Sequence, residues 1–158
     1  MVVQRALRAM RERRGFRVVH YSTMSNHLHL LVEATDGEAL SRGMQGLTIR
    51  IARGLNRLWR RSGKVFGDRF HSRPLRTPRE VRNALAYVLC NARRHGVRAV
   101  AGWLDPYSSA AGFDGWKRSV ARPADSSKGE TAVARARTWL LSKGWRRRGL
   151  LDPRAVPG

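Results

Sequence analysis

The chain has 158 residues, of which 42% are hydrophobic, enough for one domain with a modest core and an appended tail. Lys and Arg number 32 against 11 Asp and Glu, so the formal net charge is +21 and nucleic acid is the expected partner. The single cysteine, Cys90, excludes an internal disulfide, and neither a membrane span nor a signal peptide is evident. We therefore expect a cytoplasmic protein, although a general compositional bias toward arginine is an alternative explanation of the charge.

A helix and a β-hairpin are predicted first. Apolar residues at helical spacing across residues 3–10 predict an amphipathic helix, which Gly15 ends. Residues 16–24 are rich in β-branched and aromatic side chains, Ser25-Asn26 is a polar turn, and residues 27–32 form a second apolar run. Two such runs around a tight turn predict a hairpin.

A long helix and a third strand are expected next. The spacing of Thr35 and Glu38 predicts a capping box at the start of this helix, and Gly63 is its expected end. Residues 65–75 are expected to form a strand, which Pro74 limits to an edge or an end of the sheet.

A second capping box opens the next predicted helix. Thr77 and Glu80 have the required spacing, Pro78 suits the first helical position, and Gly96 is the expected end. Cys90 falls opposite the apolar stripe of this helix, so we expect it to take no part in function.

The order of these elements predicts an α+β fold. It is a ferredoxin-like (RRM-like) antiparallel sheet with helices on one face, lacking its first strand, plus a basic C-terminal helical tail. We expect the main domain in residues 1–100, a turn and flexible linker in 101–130 and the tail in 131–158, with a short helix across 131–143.

Two histidines two positions apart are the first candidate site. Because side chains alternate along a strand, His27 and His29 are expected to share one face, while Leu28 and Leu30 face the core. Imidazole binds Zn, Mn and other divalent ions, so the pair is a candidate metal site. Two surface histidines on a half-exposed strand are the alternative.

A second set of polar residues lies in the helix after Thr77. Tyr87 and Asn91 are four residues apart, hence on one helix face, and Arg94 falls on the same flank of the apolar stripe. This combination indicates a site that faces the sheet. The alternative for Tyr87 is a side chain that buries its ring and keeps its hydroxyl in water.

Three motifs together carry a family resemblance. The run Met24-Ser25-Asn26-His27-Leu28-His29-Leu30-Leu31-Val32 holds the histidine pair, residues 66–70 read Phe-Gly-Asp-Arg-Phe, and residues 86–96 hold Tyr87 and Asn91. In this order they resemble the HUH motif, the intervening strand and the tyrosine helix of the REP-associated tyrosine transposases, within the IS200-like HUH superfamily. Residues 105–109 and 139–149 also resemble the C-terminal part of some members.

The resemblance implies a transposase that cleaves and rejoins single-stranded or hairpin DNA. His27 and His29 match the family's paired metal ligands, Asn91 its third ligand, and Tyr87 its nucleophile, which forms a 5′-phosphotyrosine bond. The implied cofactor is a divalent metal, Mg²⁺ or Mn²⁺, and a homodimer is compatible with the resemblance. Arg94 is our candidate for favouring the phenolate.

The remaining basic and aromatic residues are expected to contact DNA or to support the fold. Arginines expected to hold the DNA backbone are Arg50, Arg53, Arg57, Arg94, Arg146 and Arg147. Trp139 and Trp145 either stack on bases or pack the tail onto the core. Tyr21 and Tyr107 lack an asparagine at helical spacing, and DNA contact or structural roles are expected for His20, His71 and His95.

The chain departs from the family at its beginning. Relatives start with a β-strand, whereas Met1 here already lies at the predicted first helix. An upstream start is the explanation we favour, and a decayed copy or a strand from a partner chain are the others. Two alternatives to the transposase follow: a non-catalytic or decayed nucleic-acid-binding domain, and a metal-dependent phosphoesterase that uses water as its nucleophile.

Overall fold

The helices and strands follow the predicted order, except that the strand predicted across residues 65–75 is absent. The computed structural model describes residues 1–94, 103–117 and 131–157. The helices and strands in chain order are α1 (Val2–Met10), β1 (Phe16–Thr23), β2 (Leu28–Ala34), α2 (Gly37–Leu58), α3 (Pro78–Leu89), α4 (Asn91–Arg94) and α5 (Trp139–Ser142). Short 3₁₀ turns lie at Ala110–Gly112 and Gly144–Arg148.

Strands β1 and β2 form an antiparallel hairpin, which is the only sheet among the described residues. Tyr21 lies opposite Leu30 and Ser22 opposite His29. The register shifts between Val18 and His20, as at a β-bulge that inserts one extra residue. The predicted α+β class and antiparallel pairing are confirmed.

Helices pack on both faces of the hairpin, which corrects the expectation that they share one face. Helices α1 and α2 form a core with Val18, Tyr21 and Leu30, whereas α3 and the tail form a second core with Val19 and Leu31. The cause is that both faces of the hairpin carry apolar side chains and need cover.

The two long helices begin with different caps. Helix α3 has the predicted capping box: the Thr77 hydroxyl accepts from the Glu80 amide at 3.2 Å, and the Glu80 carboxylate accepts from the Thr77 amide at 3.0 Å. The box predicted from Thr35 and Glu38 is wrong. Asp36 caps α2 instead, because its carboxylate lies 2.7 Å from the Ala39 amide.

The strand predicted across residues 65–75 is also wrong. Residues 61–76 form neither helix nor strand, and most of their side chains are exposed. Phe66 and Leu75 pack against the cores while the residues between them do not, so the apolar pattern marks two anchor points of a loop. Helix α2 ends at Leu58, before the predicted Gly63.

The described tail packs back onto the main domain. Trp145 is 1% exposed in the core under α3, and the Glu33 carboxylate on β2 accepts from the Thr138 amide at 2.8 Å and from its hydroxyl at 2.7 Å. The helix expected across 131–143 is confined to Trp139–Ser142. The predicted linker at 121–130 and helix end at Gly96 lie outside the described residues. None of the described helices is long and apolar enough to cross a membrane.

Candidate functional site

His29 projects from β2 toward α3. Its neighbour across the hairpin, Ser22, is fully buried, and the same face carries Leu31 in the core under α3. The His29 ring meets the Tyr87 ring edge to face, with centroids 5.0 Å apart and planes at 82°. Its Nε2 atom is shielded from solvent. The strand therefore aims one histidine at the helix that carries the candidate nucleophile.

His27 lies in the turn directly before β2, not on the strand as predicted, and is exposed. Its ring still lies beside His29, with centroids 4.6 Å apart and planes at 79°. Its Nδ1 atom is 2.6 Å from the Asn26 amide oxygen, which can only accept. Nδ1 therefore donates in this contact, and the neutral tautomer that can do so has its lone pair on Nε2, the arrangement a metal-binding imidazole needs.

Asn26 is a residue that sequence reasoning placed only in the turn. By accepting from His27 it fixes the tautomer and the ring orientation of the first histidine. The signal for this role in the sequence is an amide side chain directly before the histidine pair. Turn residues commonly bond to the backbone, so the sequence alone did not favour a contact with the neighbouring ring.

Tyr87 completes a row of three rings. Its side chain is half-buried at the edge of the core under α3. The other two described tyrosines differ: Tyr107 is exposed in a turn, while Tyr21 is buried and its hydroxyl accepts from the Gln4 amide at 3.0 Å. Burial also raises the pKa of Tyr21, which disfavours its phenolate.

Asn91 does not share one unbroken helix with Tyr87, so that expectation is wrong. Helix α3 ends at Leu89, Cys90 has non-helical angles (φ −108°, ψ 12°), and Asn91 opens the short α4. Asn91 is 0% exposed, and among the described residues neither atom of its amide has a hydrogen-bond partner. An amide buried in this way is costly unless a ligand pairs with it.

The residues present fit a divalent ion held by two imidazoles. Two imidazoles bound to one ion at about 2.1 Å place their ring centroids about 4.6 Å apart at the 90° angle of an octahedral ion and about 5.3 Å apart at a tetrahedral angle. The His27 and His29 centroids lie 4.6 Å apart, which fits the octahedral case. The described residues contain no cluster of three His, Cys, Asp or Glu side chains suited to a metal. Further ligands would therefore be oxygen atoms from outside this set, such as those of water or phosphate.

The predicted DNA-binding arginines are spread over separate surfaces. Arg50, Arg53 and Arg57 are exposed on α2, which packs on the opposite face of the hairpin from Tyr87. Arg146 pairs with Asp114 at 2.6 Å, and Arg147 lies over the Trp139 ring at 5.0 Å. The side chain of Arg94 lies outside the described residues.

The other residues singled out in the sequence have mixed outcomes. Trp145 packs in the core while Trp139 is 49% exposed, so the two tryptophans differ. His20 is structural: its Nδ1 lies 3.1 Å from the Ser109 hydroxyl, and burial lowers its pKa to about 4. Cys90 is buried, against the expectation that it faces away from the core. His71 is exposed, and His95 lies outside the described residues.

The comparisons with known proteins give one match. No curated protein and no solved structure matches the chain. A family model described as "Transposase IS200 like" matches residues 2–88, more than half of the chain. The matched segment includes His27, His29 and Tyr87 and ends before Asn91. The chain belongs to the IS200-like transposase family.

Proposed function

We propose that this transposase cleaves and rejoins single-stranded DNA through Tyr87, with a divalent ion held by His27 and His29. The observation that carries the proposal is the row of three rings, in which His29 lies between His27 and Tyr87 at centroid distances of 4.6 and 5.0 Å. Tyr87, the candidate nucleophile, thus contacts His29, one histidine of the candidate metal pair. DNA is the partner that the family implies.

The proposed reaction is a reversible phosphoryl transfer. The Tyr87 phenolate oxygen attacks the scissile phosphorus, the bond from phosphorus to the 3′-oxygen breaks, and the 3′-oxygen takes up a proton to leave as a hydroxyl. The 5′-phosphate is then esterified to Tyr87. Because the ester retains the bond energy, attack by a 3′-hydroxyl rejoins the strand without ATP.

The metal site would assist the transfer. A divalent ion, Mg²⁺ or Mn²⁺, supplies Lewis-acid polarisation of the scissile phosphate when bound. His27 would hold it through Nε2, since Asn26 occupies the Nδ1 proton. His29 packs against the Tyr87 ring and so positions the nucleophile as well. Asn91 is the proposed third ligand, on the strength of its buried, unpaired amide.

We infer that the substrate is a strand that folds into a hairpin, of the repeated extragenic palindromic type. The support is the resemblance of residues 24–32 and 86–96 to the REP-associated branch. The large positive charge, +21, also suits a folded strand, which concentrates phosphates. The same proposal includes two copies of the chain that act together as a homodimer.

A binding domain without catalysis is the second candidate. The observation in its favour is the ligand set, since the described residues offer two imidazoles and no cluster of three acidic, cysteine or histidine side chains. Such a domain would bind hairpin DNA without forming a covalent product, and its affinity would not depend on a divalent ion.

A covalent-adduct assay separates the candidates. We would incubate the chain with 3′-labelled single strands that carry palindromic hairpins from the DNA flanking its gene, with Mg²⁺, Mn²⁺ or EDTA. A labelled protein band on a denaturing gel is expected with either metal and not with EDTA. Tyr87→Phe should abolish this band, because the ring is retained and the nucleophilic oxygen is lost.

Tyr107→Phe is the matched control, because Tyr107 is exposed in a turn. It should form as much adduct as the unmodified chain. Cleavage that persists in Tyr87→Phe would overturn the tyrosine mechanism in favour of a water nucleophile. Hairpin binding without adduct in any metal would support the binding domain.

A further inference from the structure

A large cleft lies at the end of the hairpin away from the His27 turn. Its volume is about 1010 Å³. One wall is the end of α1 and the turn after it, with Arg11, Arg13 and Arg14. The floor is the first half of β1, and the other wall is the tail, with Arg135 and Arg137. The cleft shares no lining residue with the proposed catalytic site.

The cleft is strongly basic, and much of its charge is not neutralised. Its lining among the described residues holds seven arginines and two carboxylates, Glu12 and Asp114. The carboxylates are already paired, Glu12 with Arg11 at 3.2 Å and Asp114 with Arg146 at 2.6 Å. Among the described residues, four of the lining arginines have no carboxylate partner: Arg13, Arg14, Arg135 and Arg137.

The floor of the cleft adds little net charge, because Arg17 on β1 is paired with Glu33 at 3.7 Å. His20 is among the lining residues, and burial holds its pKa at about 4, so its ring is neutral at pH 7. Phe113 and Trp145 stack beside it, with centroids 5.4 Å apart. Because Phe113 and Trp145 are 5% and 1% exposed, they support the floor from within the core and do not stack on bases. The cleft therefore suits a flexible polyanion through the arginines of its walls.

The size of the cleft favours a single strand. Its volume is at the upper end of the roughly 300–1,000 Å³ range of small-molecule pockets. A few nucleotides of single-stranded DNA fit such a space. One base pair of a duplex, about 20 Å across and about 3.4 Å thick, occupies roughly this volume by itself, so a duplex does not fit inside the cleft. The phosphates of the strand would pair with the arginines on either wall that have no carboxylate partner.

We propose that this cleft is a second DNA site, which holds a single-stranded segment distant from the phosphate that Tyr87 attacks. This proposal rests on the proposed function, because it refers to the phosphate that Tyr87 attacks. From Arg17 at the cleft to Thr23 near the catalytic end, β1 spans about 20 Å at 3.3 Å per residue. At about 3.4 Å per stacked nucleotide, the separation is roughly six nucleotides.

The first test measures binding alone. Fluorescence anisotropy with a labelled 20-nucleotide oligothymidylate would compare Arg14→Gln/Arg135→Gln with the charge-matched control Arg5→Gln/Arg79→Gln, at several salt concentrations. All four side chains are exposed, so thermal unfolding should be unchanged. The cleft variant should bind about tenfold more weakly, and its log–log salt slope should fall by about 1.4, or about 0.7 per lost contact.

The control variant should lose no more than about twofold in affinity, with little change in slope. Equal losses in the two variants would overturn the cleft as a site, because the effect would then follow net charge. Since anisotropy needs no cleavage, this result is independent of Tyr87. A missing adduct with a cleft-specific binding loss would reject the proposed chemistry and keep the cleft.

The second test places the cleft relative to the reactive phosphate. Strands that form the Tyr87 adduct would be extended by two to ten nucleotides on each side in turn. Affinity should rise stepwise on one side near six added nucleotides, and this step should vanish in Arg14→Gln/Arg135→Gln. The same smooth rise in both proteins would overturn the placement.

Discussion

The two faces of the hairpin differ in what they carry. The face under α1 and α2 is lined by apolar residues, with Val18 opposite Val32 and Tyr21 opposite Leu30. The face under α3 carries polar side chains among its apolar ones, including His20, Ser22 and His29. One face therefore mainly stabilises the fold, while the other combines packing with the positioning of polar groups.

A short segment after α4 pairs with the edge of β1 and bonds to a polar side chain of the face under α3. Residues 105–109 run along β1, where the Thr23 amide donates to the Tyr107 carbonyl at 2.9 Å and the Ser109 amide to the Tyr21 carbonyl at 3.0 Å. Asp105, at the start of this segment, is buried, and burial raises the pKa of its carboxyl. The Ser109 hydroxyl lies 3.1 Å from Nδ1 of His20, so the segment holds this polar side chain of the face in place.

The largest expected effect comes from a core leucine on each face. Leu47 on α2 and Leu85 on α3 are both 0% exposed, so replacement by Ala should lower the free energy of unfolding by about 2–5 kcal/mol in each case. Urea unfolding followed by circular dichroism measures this loss.

Adduct formation per folded molecule should separate the two variants. Leu85→Ala should slow it about tenfold or more, because Tyr87 packs against the same core and a small displacement of a reacting group is costly. Leu47→Ala should leave it within about twofold. Equal rates in the two variants would contradict the division of labour between the faces.

The sequence predicted local features better than tertiary ones. The hairpin and the Thr77 capping box depend on residues close in the chain, and both are present. The strand across 65–75 is absent. A strand needs a neighbouring strand to bond with, and the short apolar pattern of one segment does not reveal whether such a neighbour exists. The break at Cys90, which separates Tyr87 from Asn91, has no glycine or proline to signal it.

The candidate site was predictable because two motifs pointed to it together. Strand alternation alone would have misplaced His27, which lies in the turn, yet its ring still neighbours His29. The basic cleft was not predictable in this way. Its arginines come from residues 11–17 and 135–146, which only the packing of the tail brings together.

The pH dependence of stability probes the polar face through His20. Its pKa is lowered from 6.5 to about 4 in the folded chain by burial, which outweighs the opposing charge of Asp114. The His20 ring of the unfolded chain binds more protons between these values, so the contribution of His20 to stability is complete above pH 6.5 and falls as the pH is lowered toward 4. The loss should be about 3 kcal/mol at about 1.4 kcal/mol per pKa unit.

Urea unfolding from pH 4.5 to 7.5 measures this dependence. His20→Gln should flatten the curve, whereas His71→Gln, which changes an exposed ring, should leave it as in the unmodified chain. Hydrogen bonds lower the pKa values of Asp36 and Glu80 from 3.8 and 4.5, so their contributions are lost in a separate, more acid range. A slope that persists in His20→Gln would assign the dependence to other groups.

The smallest expected effect tests whether the start of α3 matters to the site at its other end. Thr77→Ala removes the hydroxyl that accepts from the Glu80 amide, and loss of such a cap costs about 1 kcal/mol. Thr77→Ser keeps the hydroxyl and should retain most of the stability. Tyr87 lies ten residues further along, about 15 Å at 1.5 Å per residue, and is held by its own core contacts. Thr77→Ala should therefore lower the unfolding midpoint without slowing adduct formation by more than about twofold. A larger loss of adduct would mean that the whole of α3, and not the core around Tyr87, positions the nucleophile.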